Sequence, residues 1–247
     1  MYRRTGRSYA WLFCVPFCVL AVVTPALFAQ QGSVTGRIDF SPAEGSPSVD
    51  SSGAVVWLTR LGDSGETHGQ VSPQRLQLVQ RHKGFSPRVL VVPVGSVVEF
   101  PNQDPFFHNV FSLFEGKQFD LGLYEAGSSR TLTFDRPGIS YIFCNIHAEM
   151  HAVVIAVKTQ YYGVSDRNGG IVIPHVPDGR YEMRVWHELV LPEVLNNLTR
   201  TIVISETSRS FGVVHLAEQR KLFQAHKNKY GQEYNNPTPP VPGYPHP

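Results

Sequence analysis

The chain has 247 residues, with 22 Lys and Arg against 20 Asp and Glu and a formal net charge of +2 at pH 7. This near-neutral balance excludes the strong basic excess that is typical of nucleic-acid-binding proteins, so no nucleic-acid partner is expected. With 42% hydrophobic residues, the chain can bury a core, and its length allows two small domains.

Residues 1–29 have the layout of an export signal. Three arginines and no acidic residue lie within the first seven positions, and residues 10–23 carry no charge. This apolar run is shorter than the about 20 residues that a membrane span needs. We predict cleavage after Ala29 and a periplasmic or secreted mature chain without a transmembrane span. Cleavage after Ala26 and an uncleaved anchor are the alternatives.

The rest of the sequence predicts an all-β chain. Short runs of β-branched and aromatic residues alternate with turns rich in Gly, Pro, Asn and Asp, a pattern that favours a β-sandwich. Helical structure is expected only as a turn within residues 115–127 and as a short basic helix within 217–229, before a Pro-rich tail. The predicted strands are 33–38, 54–59, 75–80, 88–92, 96–100, 130–134, 139–143 and 152–157.

Removal of residues 1–29 leaves Cys144 as the only cysteine. A single thiol in an exported protein has no intramolecular disulfide partner, and a bound metal would protect it from oxidation. Cys144 opens the segment Cys-Asn-Ile-His-Ala-Glu-Met, which also contains His147 and Met150. Thiolate, imidazole and thioether together suit an ion that cycles between Cu(I) and Cu(II), so the segment predicts a copper site.

A copper site of this kind needs a second histidine, and His108 is the best candidate because aromatic residues flank it. Two histidines and one cysteine could form a trigonal plane, with Met150 as a long axial ligand. Each residue alone has an ordinary explanation as core filler or as a hydrogen-bonded side chain. Their combination favours metal binding, since the chain has only three methionines. We expect His151 to be a surface or supporting residue, because alternation along a strand would turn it away from Met150.

Three segments carry a family resemblance: residues 92–104, residues 108–110 and residues 138–150. They resemble the cupredoxin family, the plastocyanin and amicyanin type of blue copper protein, and the Cys-x-x-His-x-x-Met spacing is closest to the amicyanin pattern. The resemblance implies an eight-stranded Greek-key sandwich that performs single-electron transfer. It also implies one type 1 copper ion, with the ligands His108, Cys144, His147 and Met150.

The resemblance extends to residues around the ligands. Asn109 matches an asparagine that, in relatives, hydrogen-bonds to the loop that bears the cysteine. Ala148 stands where relatives often have proline. In relatives the loop histidine exposes its ring edge, so His147 is the expected electron port, with Phe106, Phe107 and Ala148 around it.

Residues 158–216 resemble a different unit, the carboxypeptidase regulatory-type, transthyretin-like β module. The likeness rests on an Asp-x-x-Gly turn at 166–169 and on Val-Pro-x-Gly-x-Tyr at 176–181. A unit of about 60 residues is marginal alone, so we expect it to pack on the copper domain. The predicted divisions are a signal peptide (1–29), a cupredoxin-like copper domain (30–157), the regulatory-like module (158–216), and a short helix with a Pro-rich tail (217–247).

The sequence therefore predicts an exported blue copper protein that is not an enzyme. It would carry electrons to or from a redox partner such as a c-type cytochrome or a dehydrogenase. One alternative is a periplasmic copper storage or chaperone protein. Another is a carbohydrate- or protein-binding β module with an accessory copper site. A multicopper oxidase or a copper nitrite reductase is not expected, because the sequence has no His-x-His cluster.

Overall fold

The structure, a computed structural model, describes residues 32–44, 50–62, 72–113, 116–219 and 228–232. These residues form 17 strands and one short helix, which confirms the all-β prediction. The predicted signal peptide and Pro-rich tail, and most of the predicted basic helix, lie outside the described residues. The elements are β1 (Gly32–Ser41), β2 (Val55–Arg60), β3 (Arg75–Gln77), β4 (Val79–Arg81), β5 (Gly84–Ser86), β6 (Val89–Pro93), β7 (Ser96–Pro101), β8 (His108–Ser112), β9 (Phe119–Tyr124), β10 (Ser129–Phe134), β11 (Gly138–Phe143), β12 (His151–Val157), β13 (Tyr162–Val164), β14 (Gly170–Val176), β15 (Gly179–Trp186), α1 (Pro192–Asn197), β16 (Arg200–Ile204) and β17 (Ser210–Ala217).

Two sheets enclose the core that contains Cys144. One sheet has the strand order β6-β12-β11-β8-β9, the other has the order β10-β7-β3, and the β4–β5 hairpin lies beside them. Residues alternate along β7, so that Val98 and Phe100 are buried while their neighbours are partly exposed. Burial of each such side chain stabilises the fold by about 1.5–3 kcal/mol. Cys144 and Met150 belong to this buried cluster, which places the candidate metal site at the edge of an ordered core.

Strand β12 of the five-stranded sheet is buried on both faces. Along β12, Val154 and Ala156 pack into the cluster around Cys144, whereas Val153 and Ile155 pack into a second cluster. A strand covered on both sides has an unbroken apolar sequence, as residues 152–157 do. The second cluster joins this sheet to the strands that follow residue 157.

Those later strands lie in two further sheets, ordered β14-β1-β17 and β13-β2-β15-β16. Strand β1 pairs antiparallel with β14 and parallel with β17, and β2 pairs antiparallel with β13 and β15. Strands β1 and β2, which lie within the predicted copper domain of residues 30–157, thus pair with strands that follow residue 157 and not with the two sheets around Cys144. Strand periodicity shows which side of a strand is buried but not which distant strand it joins. The divisions at 157 and 216 and the transthyretin-like assignment stay predictions.

Two local predictions are wrong. The expected turn within 115–127 contains strand β9, which pairs with β8. Helix α1 was not predicted; it begins at Pro192, packs Leu195 into the core and is only six residues long. A helix of fewer than two turns is too short to produce a periodic pattern of apolar residues.

Among the described residues, no helix has the length and apolar character needed to cross a membrane.

Candidate metal centre

The pairing of β8 with β11 brings the predicted ligands together. His108 is the first residue of β8, and Cys144 directly follows the last residue of β11. The two strands are antiparallel neighbours, with Phe111 opposite Phe143. This register places the start of β8 beside the loop that leaves β11, although the two segments are far apart in sequence.

Three candidate ligand atoms converge at this point. The Sγ atom of Cys144 lies 3.6 Å from Nδ1 of His108 and 3.6 Å from Nδ1 of His147. All three atoms lie within 4.8 Å of one another. An ion bound at about 2.0–2.3 Å from each atom of a trigonal plane would separate nitrogen and sulfur by about 3.7 Å. The spacing therefore fits a metal ion, and the donor types fit copper.

The loop from Cys144 to Met150 is closed by its own backbone. The N–H of Cys144 donates to the carbonyl of Met150 over 3.2 Å, and the N–H of Met150 donates to the carbonyl of His147 over 3.1 Å. Met150 is fully buried in the same apolar cluster as Cys144. The four predicted residues thus occupy one short loop and the adjoining strand end, with Met150 buried at the end of that loop.

Both imidazoles are held in the neutral form that binds metals. Burial lowers the pKa of His108, although hydrogen bonding and attraction to Asp104 oppose the shift. Burial also lowers the pKa of His147 to about 4, with further lowering by repulsion from His108 and Lys83. At neutral pH neither ring needs to lose a proton before it binds a metal ion.

The thiol of Cys144 is buried, and burial raises its pKa. The backbone N–H groups of Asn109, Ile146 and His147 donate hydrogen bonds to the sulfur and partly offset this rise. These donors favour the thiolate, the form that binds a metal ion. Metal binding would therefore release one proton at this atom.

Asp104 is a site residue that the sequence did not reveal. Nε2 of His108 donates to Oδ2 of Asp104 over 2.8 Å, which leaves the unprotonated Nδ1 facing the sulfur. Burial opposes ionisation of Asp104, but hydrogen bonds from Lys83, His108 and His82 outweigh it and hold the carboxyl pKa below its usual value. A carboxylate behind a ligand histidine fixes the tautomer and ring orientation and increases the basicity of the ligand. In the sequence, the only indication of this contact is the Asp-x-x-x-His spacing between Asp104 and His108.

The turn between β4 and β5 holds Asp104 in place. The N–H groups of His82 and Lys83 donate to the two carboxylate oxygens over 2.6 and 2.9 Å. Both turn residues have φ of 56°, in the left-handed region that usually favours glycine. Two consecutive positive φ values are typical of the tight turn of a two-residue hairpin. Non-glycine residues in this conformation occur where the surrounding structure requires them, as the contact with Asp104 does here.

The side chain of Asn109 does not make the predicted contact with the cysteine loop. Its Nδ2 donates to Oδ1 of Asp120, in β9, over 2.7 Å. Its Oδ1 has no hydrogen-bond partner among the described residues. The charged carboxylate is a stronger acceptor than a backbone carbonyl, so the side chain turns toward the neighbouring strand. It is the backbone N–H of Asn109 that reaches the sulfur.

Aromatic side chains cover the outer side of the cluster. The ring centroid of Phe106 lies 5.2 Å from that of His108 and 5.5 Å from that of His147. Phe107 and Ile146 are 37% and 39% exposed, and His147 is half-buried. The site therefore has one apolar side that reaches the surface close to a candidate ligand.

His151 takes part in a separate surface network. Its Nδ1 donates to the carbonyl of Glu149 over 2.9 Å, and its Nε2 contacts the Arg88 guanidinium. Arg88 also pairs with Glu188 over 2.7 Å. The ring is thus held by this network and is not part of the converging set of His108, Cys144 and His147.

Comparison with known proteins gives partial likenesses to cupredoxins. A scan of family models and a search of curated proteins found no match. A purple cupredoxin from Nitrosopumilus maritimus is 23% identical over 33% of this chain and 99% of its own, with a TM-score of 0.31. A mutant of amicyanin in the Cu(I) state is 19% identical over 34% of this chain and 82% of its own, with a TM-score of 0.32. A copper-containing nitrite reductase from Thermus scotoductus is 24% identical over 40% of this chain and 25% of its own, with a TM-score of 0.32. Because each TM-score is below 0.5, these similarities decide nothing beyond what the geometry of the chain itself shows.

Proposed function

We propose that this protein binds one copper ion, which His108, Cys144, His147 and Met150 would hold, and that it carries single electrons between redox partners. The observation that supports this most directly is the convergence of two neutral imidazole nitrogens and a buried sulfur, each nitrogen 3.6 Å from the sulfur. The bound ion would supply the one-electron couple.

The chain's own residues would keep the site nearly unchanged when an electron arrives. Asp104 holds the His108 ring, and backbone N–H groups hold the sulfur of Cys144. The loop that carries the other two ligands is closed by hydrogen bonds between Cys144, His147 and Met150. Since these contacts come from a packed sandwich, the ligands cannot rearrange freely between the geometries that Cu(I) and Cu(II) prefer. Small rearrangement allows fast electron transfer.

Electrons would enter and leave through His147. Its ring is half-buried and lies beside Phe106, and the exposed Phe107 and Ile146 form apolar surface near it. An apolar contact surface excludes water from a transient complex with a protein partner. We propose a c-type cytochrome or a dehydrogenase as that partner, in the periplasm or outside the cell.

The decisive experiment is copper titration of the purified chain, followed by visible absorption and electron paramagnetic resonance. One equivalent of Cu(II) should produce an intense thiolate-to-copper band, which Cys144→Ser should abolish. His215→Asn is the control, because His215 is an exposed histidine whose contact is with Asp39. A colourless wild-type protein at full copper loading would refute the proposal. Reversible voltammetry would indicate a carrier, whereas tight copper retention with slow, irreversible cycling would indicate a storage or chaperone protein.

A further inference from the structure

A short C-terminal segment, residues 228–232, lies against the loop that begins with Cys144. We call this segment the C-terminal clip. It forms a compact turn of its own, in which Oδ1 of Asn228 accepts the N–H groups of Tyr230 and Gln232 over 2.9 and 3.0 Å. The N–H of Asn228 donates to the carbonyl of Gln232 over 2.9 Å. These bonds give the segment a defined shape where it meets the rest of the protein.

Lys229 makes the contacts between the clip and the site. Its backbone N–H donates to Oδ1 of Asn145 over 2.9 Å, and Asn145 directly follows Cys144. Its ammonium group donates to Oδ2 of Asp120 over 2.8 Å. The side chains of Lys229 and Asp120 are 26% and 35% exposed, so the pair is partly shielded from water.

Asp120 also contacts strand β8, which begins with His108. Oδ1 of Asp120 accepts the side-chain amide of Asn109 over 2.7 Å. Asn109 follows His108 in β8, and its backbone N–H donates to the sulfur of Cys144. Lys229 is therefore connected to the cysteine loop through Asn145. It is connected to strand β8 through Asp120 and Asn109.

We infer that the C-terminal clip positions the metal site, with Lys229 as a positioning residue that holds the cysteine loop against strand β8. This inference rests on the proposed function for its effect on copper. Without the clip, the loop opens more often, bound copper leaves faster, and the hydrogen bond from Asn109 to the sulfur weakens. A weaker hydrogen bond to the thiolate favours Cu(II), so the reduction potential falls.

Two truncations test the clip with a matched control. A chain that ends after Lys227 lacks the clip, whereas a chain that ends after Gln232 keeps it and lacks only the residues beyond it. Release of copper to a chelator should be about tenfold faster from the shorter chain, because it loses the ion pair and the hydrogen bond to Asn145. The longer chain should match the full-length protein.

A single substitution tests the role of the ammonium group. Lys229→Met keeps the apolar stem but removes the charge, and it should speed copper release about two- to fivefold. Because the substitution should weaken the binding of Cu(I) more than that of Cu(II), the reduction potential should decrease by about 20–40 mV, at 59 mV for each tenfold change in affinity. Lys117→Met is the control, since Lys117 makes a comparable 2.8 Å pair with Asp135 near the start of β11, away from the cysteine loop.

Amide hydrogen exchange of the metal-free protein separates this inference from the proposed function. Exchange at residues 145–150 should be faster in the chain that ends after Lys227 than in the chain that ends after Gln232. Equal exchange in the two chains would overturn the inference, as would equal copper release and equal potentials. Failure of the full-length protein to bind copper would refute the proposed function but would leave the exchange result to decide the role of the clip.

Discussion

Asp104→Asn should raise the reduction potential of the copper site. The carboxylate accepts three hydrogen bonds, from the N–H groups of His82 and Lys83 and from Nε2 of His108. Asparagine has nearly the same shape, but one of its two terminal atoms is an NH₂ donor. That group must face a donor that Asp104 now satisfies, so at least one hydrogen bond is lost, together with the negative charge behind the ligand.

The size of the effect follows from the position of Asp104 behind a ligand. Loss of such an outer-shell partner typically weakens metal affinity about 10- to 100-fold, which is about 1.4–2.8 kcal/mol. The negative charge stabilises Cu(II) more than Cu(I), so the substitution should weaken the binding of Cu(II) more than the binding of Cu(I). At 59 mV for each tenfold change, the potential should rise by about 60–120 mV.

The assay is voltammetry of the fully loaded protein, after visible absorption has shown that the thiolate band is retained. Asp135→Asn is the control, because Asp135 is exposed and pairs with Lys117 far from the cluster. A potential equal to that of the wild type, at full copper occupancy, would refute the role assigned to Asp104. A decrease would refute the assumption that its charge favours Cu(II).

Three further predictions concern stability. Ile142→Ala should destabilise the fold by about 2–5 kcal/mol in denaturant titrations, because Ile142 is fully buried in the cluster around Cys144. A loss below about 1 kcal/mol would show that neighbouring side chains fill the cavity. Gly169→Ala should be severely destabilising, since Gly169 has φ of 81° and an added Cβ would overlap the carbonyl oxygen of Ile38. A melting temperature equal to that of the wild type would contradict this prediction. His187 is buried, and burial lowers its pKa below the usual 6.5. The unfolded chain therefore takes up the proton first as the pH falls, and the free energy of unfolding should decrease below about pH 6.5 by up to about 1.4 kcal/mol per pH unit. His187→Asn should remove that part of the slope, and an unchanged slope would show that His187 does not contribute.

The candidate ligands were accessible from sequence because three of them lie in one seven-residue loop. Cys144, His147 and Met150 are at most six residues apart in the chain, and their donor atoms alone suggest copper. His108 was chosen for its aromatic neighbours and matched the resemblance to a known family, and the structure places its Nδ1 3.6 Å from the sulfur. The eight strands predicted before residue 158 each overlap a strand of the structure, because alternation and β-branched runs are local signals.

The supporting contacts were not readable in the same way. Asp104 contacts a hairpin turn about twenty residues earlier, and Lys229 contacts Asn145 across 84 residues. The pairing partners of β1 and β2 could not be predicted for the same reason, since pairing over long separations has no local sequence pattern.

By itself, the sequence determined that the chain is all-β and that one seven-residue segment carries a cysteine, a histidine and a methionine, because periodicity and short spacing act within a few residues. Only the tertiary structure decided which strands pair, which carboxylate stands behind His108 and which segment lies on the cysteine loop. Those choices depend on hydrogen bonds and burial between distant segments, and these interactions form only when the whole chain packs.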